Sequence, residues 1–285
     1  DTIIGSGGTL QGDDVDSTWT LDGTPTYNDG SASLDFSGFD NLQGGSGDDT
    51  FLVTADSTFN LLGGEGSDLF DIDAVLNGSV RGEGLALADN DTLQGNLIDD
   101  VLLFGHEADG FYGYESDVAQ SFFSIDTIIG NGGRIIGMSA TSTWDLDGTP
   151  TYTQDGQVLD FSGFATLQGG EASDTFNVTA PSTFELRGGN GNDSFFFPAG
   201  RLNGTADGEN GNDLLDGTGA TAGLTLLGSR GNDTIIGSSF NDRLDGGSEN
   251  DSILGMAGND TITGGTGNDF LDGGAGLFDK LLEFP

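Results

Sequence analysis

The sequence has no cysteine, one histidine (His106), only seven Lys or Arg residues, and no long apolar run. Each shortage removes a class of function. Without cysteine there is no disulfide framework, no thiolate metal site and no cysteine nucleophile. One histidine rules out a histidine-based triad or a multi-histidine metal site within the chain. Seven scattered cations cannot neutralise a run of phosphates, so nucleic acid is not a partner. The same scarcity excludes electrostatic anchoring to an anionic membrane. Nothing approaches the roughly 18 apolar residues of a membrane-spanning helix, so membrane insertion is not expected. Enzyme signatures are also missing: no Gly-x-Ser-x-Gly elbow, no His-Glu-x-x-His and no phosphate-binding Gly-Lys-Ser/Thr loop. The chain is therefore expected not to be an enzyme.

What the chain holds in excess is acid and glycine. Of 285 residues, 47 are Asp or Glu and 52 are Gly, giving a formal charge of −40. Such a charge works against any compact state. A disordered acidic tail is one outcome of this composition, but 34% of the residues are hydrophobic and 20 are Phe, and they recur in a pattern. The alternative is that multivalent cations complete the fold. Hard oxygen donors without His or Cys select Ca²⁺ or Mg²⁺, and Ca²⁺ where carboxylates and carbonyls converge.

Two repeats are nested in the chain. The longer has an offset of 125: residues 1–68 align with 126–193 without a gap, and 42 positions are identical. Trp19 returns as Trp144, and Leu21–Tyr27 as Leu146–Tyr152. The shorter has nine residues, Gly-Gly-x-Gly-x-Asp-x-U-x, where U is a large apolar residue. Full matches begin at Gly44, Gly63, Gly188 and Gly264, with close variants at Gly169 and Gly208. From Gly228 to Asp272 five units follow without interruption; a sixth begins at Gly273, with its Asp279 one place late. Gly at these positions allows a positive φ or a close approach that a Cβ would block. The U residue then opens a short strand, and such units must stack to bury their apolar side.

This nonapeptide resembles the RTX (repeats-in-toxin) calcium-binding family. The resemblance is most specific over 228–272, interspersed over 44–71 and 169–216, and weak elsewhere. It implies an all-β, right-handed parallel β-solenoid in which two units make one coil and Ca²⁺ ions sit along the turns. The aspartate spacing fits that picture. Asp233, Asp251 and Asp269 are 18 residues apart, as are Asp242 and Asp260, giving two edges of one solenoid. Traced backwards, the first edge continues through Asp213, Asp193 and Asp174, and in the first copy through Asp49 and Asp68, at steps of 19 or 20. The expected metal-binding residues are these ten aspartates together with Gly44, Gly63, Gly188 and Gly264. The opposite edge is expected to lack metal before residue 228, where Val53–Leu62 and Val178–Arg187 have no Gly-Asp turn. At about 19 residues per coil the chain would make about fifteen coils.

Simpler readings compete with each assignment. The aspartates could merely cap turns by accepting backbone N–H bonds. Ten in register favour cations, because carboxylates stacked at strand spacing repel one another. Phe51, Phe70, Phe176, Phe195, Leu215, Ile235, Leu244, Ile253, Ile262 and Leu271 read as a core ladder. Trp19 and Trp144 read as buried strand residues rather than sugar platforms. Asp22–Thr26 and Asp147–Thr151 read as turns. Asp91 and Asp100, nine apart, are degenerate candidates, and 72–125 forms either coils or an inserted loop.

Three segments are expected: a first solenoid copy over 1–125, a second over 126–227 and a regular array over 228–285. The chain starts without Met and stops soon after its last repeat, so both ends look cut from something longer. The resemblance implies type I secretion from a Gram-negative bacterium and a secreted, cell-surface location. The expected role is a calcium-stabilised spacer of a large adhesin-like protein, a monomeric rod whose partners beyond Ca²⁺ would be surface glycans or other adhesin segments. The alternative is the Ca²⁺-dependent folding and secretion module of an extracellular RTX hydrolase or toxin.

Overall fold

The computed structural model describes residues 1–83, 89–107, 110–115, 121–276 and 279–284. Every regular element among them is a β-strand, mostly of three to six residues. The chain forms two compact units, one made of Asp1–Ile135 with Gln157–Phe164 and the other of Ile136–Gly156 with Ala165–Pro285.

In the first unit, strands Thr18–Leu21, Thr50–Val53, Leu69–Ile72, Thr92–Gln94, Thr127–Ile129 and Gln157–Ser162 pair in parallel. Their register places Trp19, Phe51, Phe70, Leu93, Ile128 and Phe161 in one inward ladder. The facing sheet runs through Thr9–Gln11, Asn41–Gln43, Asn60–Leu62, Val80–Arg81 and Ser121–Ile125, with Leu42, Leu61, Val80 and Phe122 pointing in. In the second unit the ladders are Trp144, Phe176, Phe195, Leu215, Ile235, Ile253, Leu271 and, opposite, Leu167, Leu186, Ala206, Leu226, Leu244, Ile262, Leu281. This is the expected parallel β-solenoid.

The expected core ladder is buried, except that Leu271 is only half-buried. Trp19 and Trp144 are fully buried, which leaves no sugar platform there. Aromatic rings stack from coil to coil. Trp19 lies 5.7 Å from Phe51 and Phe51 lies 5.1 Å from Phe70; the duplicated stack has Trp144 5.6 Å from Phe176 and Phe176 4.7 Å from Phe195. Such pairs contribute about 0.5–1.5 kcal/mol each beyond their burial.

The parallel rule is broken where hairpins are inserted. Thr18–Leu21 and Thr26–Asn28 pair antiparallel, with Trp19 opposite Tyr27, and Thr143–Leu146 pairs likewise with Thr151–Gln154. The duplicated turns form as expected: the carboxylates of Asp22 and Asp147 accept from the N–H and hydroxyl of Thr24 and Thr149. A second meander joins Asp100–Glu107, Gly110–Glu115 and Ser121–Ile125 in antiparallel order. Residues 72–125 are therefore part coil and part hairpin. The insertions make some coils 32, 23 or 35 residues long, as the aspartate hydrogen bonds below show. At that length the chain makes fewer coils than the roughly fifteen expected.

Candidate metal centre

The turns along one edge of each unit bring the repeat aspartates into a column. Each uses one carboxylate oxygen, Oδ1, to accept the backbone N–H of the aspartate one coil earlier. The bond from Asp49 to Asp68 is 2.8 Å, and those from Asp174 to Asp193, Asp193 to Asp213, Asp213 to Asp233, Asp233 to Asp251 and Asp251 to Asp269 are 2.7–3.0 Å. The second edge begins where the regular array does. Leu224 donates to Asp242, Asp242 to Asp260 and Asp260 to Asp279, at 2.7, 2.9 and 3.1 Å. The sequence separations of these bonds, 18 to 20 residues within the arrays, match the expected coil lengths.

Turn capping is thus real, but it occupies only one oxygen of each carboxylate. The other oxygen, Oδ2, divides the column into heads and rungs. At the heads it is satisfied: Asp49 accepts from Gly45 N–H, Asp174 from Gly170 N–H and Asp242 from Ser238 N–H. Ser17 and Ser142 close the head above, donating backbone and hydroxyl hydrogens to Oδ1 of Asp49 and Asp174. At the rungs Asp68, Asp193, Asp213, Asp233, Asp251 and Asp260, Oδ2 is buried with no hydrogen-bond partner. These six residues are at most 3% exposed. Asp269, at the open end, is half-buried.

A buried anion without a partner is costly. Burial pushes the carboxyl of Asp68 up to about 8, Asp213 to about 8, Asp193 and Asp251 to about 7, and Asp233 to about 6, and raises Asp49, Asp174 and Asp260 as well. Neighbouring column carboxylates add to the rise at Asp68, Asp193, Asp213 and Asp251. The arginines do not relieve it. Arg81, Arg134, Arg187 and Arg243 pair with Glu83, Asp100, Glu209 and Asp245, none of which lies in a column.

The glycine that opens each unit leaves the space this charge needs. A Cβ on Gly44 would stand 2.1 Å from Asp49 Oδ2 and 2.2 Å from the Gly63 carbonyl oxygen. On Gly63 it would stand 2.0 Å from Asp68 Oδ2 and 2.7 Å from the Gly82 carbonyl, and on Gly188, 2.2 Å from Asp193 Oδ2 and 2.5 Å from the Gly208 carbonyl. Gly264 adjoins Asp269 Oδ2 at 2.5 Å. Each slot is a cradle in which a side chain would collide with the oxygens that line it, and those oxygens are carboxylate and carbonyl, the donor types that Ca²⁺ takes. Among the described residues no three acidic, His or Cys side chains converge on one point. At Gly44, Gly63 and Gly188 each slot brings one carboxylate oxygen beside one carbonyl oxygen of the next coil. The residues present fit Ca²⁺.

Three members of the column lay outside the repeat pattern. Asp279, one place late, still accepts the Asp260 N–H. Asp91 is 1% exposed and accepts from Asp68 N–H at 2.8 Å, despite the break between it and Gly82; its signal was the Asn90-Asp91-Thr92-Leu93 quartet, which matches Asn259-Asp260-Thr261-Ile262. Asp126 accepts from Asp91 N–H. Asp100 is not in the column: it is exposed at the start of a hairpin strand and faces Arg134 at 3.9 Å. Where an asparagine precedes the aspartate, it also has a task. Asn192, Asn212, Asn232 and Asn250 each accept the backbone N–H of the matching residue one coil later, so Asp and Asn together lace these coils to their neighbours.

No curated protein matches the chain. The family described as RTX calcium-binding nonapeptide repeat (four copies) matches residues 36–55, 227–261 and 245–276, which hold Asp49 and the aspartates from Asp233 to Asp269. The chain carries RTX calcium-binding nonapeptide repeats, and its aspartate columns run through them.

Proposed function

We propose that this chain is a calcium-stabilised spacer of a large secreted or cell-surface bacterial adhesin-like protein, binding several Ca²⁺ ions and folding on them after export. The observation that carries this reading is the row of buried, unpartnered Oδ2 atoms, each beside an oxygen-lined slot. Where Ca²⁺ is scarce, as in a cytosol, these carboxylates oppose the coil and the chain stays loose enough to export. Where Ca²⁺ is abundant, binding free energy becomes folding free energy. No catalytic step belongs to this role, since carboxylates committed to cations are poor acids. The duplication of 1–68 in 126–193 favours a lengthened spacer over an appendage to a catalytic domain.

The test is a Ca²⁺ titration of chelator-treated protein, followed by far-UV circular dichroism and light scattering, with Mg²⁺ as control. A cooperative gain of β signal with compaction in Ca²⁺ alone is the expected result. A chain equally folded in chelator would reduce the aspartates to turn caps and remove the export switch.

A further inference from the structure

The antiparallel meander of the first unit carries aromatic rings on its outer side, where the core has no use for them. Phe104 is 55% exposed at the bulge of strand Asp100–Glu107, and Tyr114 is 39% exposed. Phe123 alternates with the buried Phe122 and pairs in register with Arg81. The Arg81 guanidinium sits 4.4 Å over the Phe123 ring, and Tyr112 lies 6.1 Å from that ring at 23°. Beside this row runs a polar one. Asn60 Nδ2 donates to Asn41 Oδ1 at 2.8 Å, Asn41 Nδ2 to Thr9 Oγ1 at 3.3 Å, and Ser79 Oγ to Asn60 Oδ1 at 3.1 Å. Ser79 precedes Val80, the partner of Phe122, and Ser121 pairs with Tyr114, so the polar row leads to the Tyr114 ring. None of these outer positions is acidic, in a chain with 47 acidic residues, and the charge of Arg81 is met by Glu83 at 3.5 Å. The duplicated face is different: Thr9, Asn60 and Leu62 return at the offset of 125 as Arg134, Glu185 and Arg187.

We propose that this uncharged face of the first unit binds a neutral glycan, whose sugar rings stack on Tyr114, Tyr112 and Phe123 and whose hydroxyls accept from the Asn41 and Asn60 amides. Charge selects the occupant. A polyanion, or a second copy of this chain, meets the repulsion of a net charge of −40. A cationic partner is drawn to the acidic surfaces elsewhere and not to a face without carboxylates. A neutral glycan is indifferent to both fields. It offers C–H faces to aromatic rings and hydroxyls to amides, which suits a surface of apolar rings with a few fixed polar groups. Each amide spends one of its two N–H bonds on the ladder and keeps the other for a ligand oxygen. The ladder and the Arg81–Phe123 contact hold these side chains in place before binding, which lowers the ordering cost of association. This site goes beyond the spacer reading and is separate from it, because no residue of the face belongs to an aspartate column.

The deciding measurement is isothermal titration calorimetry of the full calcium-loaded chain with cellohexaose, mannohexaose and chitohexaose, and with a galacturonate hexamer as the anionic control. Binding to at least one neutral hexasaccharide, equal at low and high salt, is expected. Tyr114→Ala and Phe123→Ala should each weaken it roughly tenfold, the loss of one stacked ring, with the β signal and the Ca²⁺ titration unchanged. Phe270→Ala, which removes an exposed ring of the second unit, should leave it intact. No binding to any neutral hexasaccharide, binding to the galacturonate alone, or an affinity unmoved by both variants overturns the proposal. Should Phe123→Ala lose β signal, Tyr114→Ala, whose ring is exposed, decides.

Discussion

Replacing Asp193 by Asn separates the two jobs of the column. Asp193 Oδ1 accepts the Asp174 N–H at 2.8 Å, and an amide oxygen can do the same. Its Oδ2 is buried without a partner, on the cradle shared with the Gly208 carbonyl. In the Asp193→Asn variant an NH₂ group would face that carbonyl and donate to it. In chelator, the substitution should therefore stabilise the fold. Leaving a buried polar atom unsatisfied costs about 1–3 kcal/mol, so removing the problem should shift the chelator-treated chain toward the folded state by that much and raise its residual β signal.

In calcium the sign reverses. The substitution removes an anionic donor, and the calcium concentration at half-folding should rise on the order of tenfold, about 1.4 kcal/mol. The assay is far-UV circular dichroism at pH 8, comparing the residual β signal of the two proteins in chelator, with a Ca²⁺ titration of each. If Asp193 only caps a turn, Asn caps it equally well and neither condition changes. No change in either condition, or an equal loss in both, would refute the two-job reasoning.

Other consequences are open to measurement. Asp68, Asp193, Asp213, Asp233 and Asp251 have folded values raised to about 6–8 by burial, above the usual 3.8, so their contribution in chelator is fully present below about pH 4 and is lost as pH rises through 6–8. The residual β signal in chelator should accordingly fall from pH 5 to pH 8, whereas Ca²⁺ affinity should rise over the same interval as protons cease to compete. Met256 holds a φ of 73° at the second position of the repeat, so Met256→Gly should stabilise the calcium-loaded fold by about 1 kcal/mol in chemical denaturation. Trp144→Ala should cost about 3–5 kcal/mol, because the ring is fully buried and stacked on Phe176.

The sequence made much of this readable because the nonapeptide is its own ruler. Steps of 18 to 20 between aspartates became the separations of the hydrogen bonds that join them, and the U positions became the inward ladder. What escaped is physically of two kinds. Long coils hide their register: Ser17 meets Asp49 across 32 residues, and Asp91 meets Asp126 across 35, because hairpins fill the interval. No fixed period marks such a partner. The aspartate's two roles were also posed as rivals, cap or ligand, when a carboxylate has two oxygens and the backbone claims only one. The sequence names the residue but not which oxygen is left over.

The second edge turns this chemistry into a gradient along the chain. From Asp242 onward, aspartates occupy both edges, and cradles open at Gly237 and Gly255 as well as at Gly228 and Gly246. Before that point, the corresponding edge has no repeat aspartate, and Ser182 bridges to Leu202 there. Coils stacked in one dimension contribute to stability nearly additively. A coil with cradles on both edges therefore carries about twice the calcium-linked term of a coil with one. Hydrogen exchange followed by mass spectrometry while Ca²⁺ is withdrawn should show it. Amides in Thr225–Arg230, Thr234–Ile236 and Arg243–Ser248 should lose protection with a steeper calcium dependence than those in Glu185–Asn190 and Ser194–Phe196. Equal slopes across the two stretches would mean that the second column holds no ions and that its aspartates serve the backbone alone.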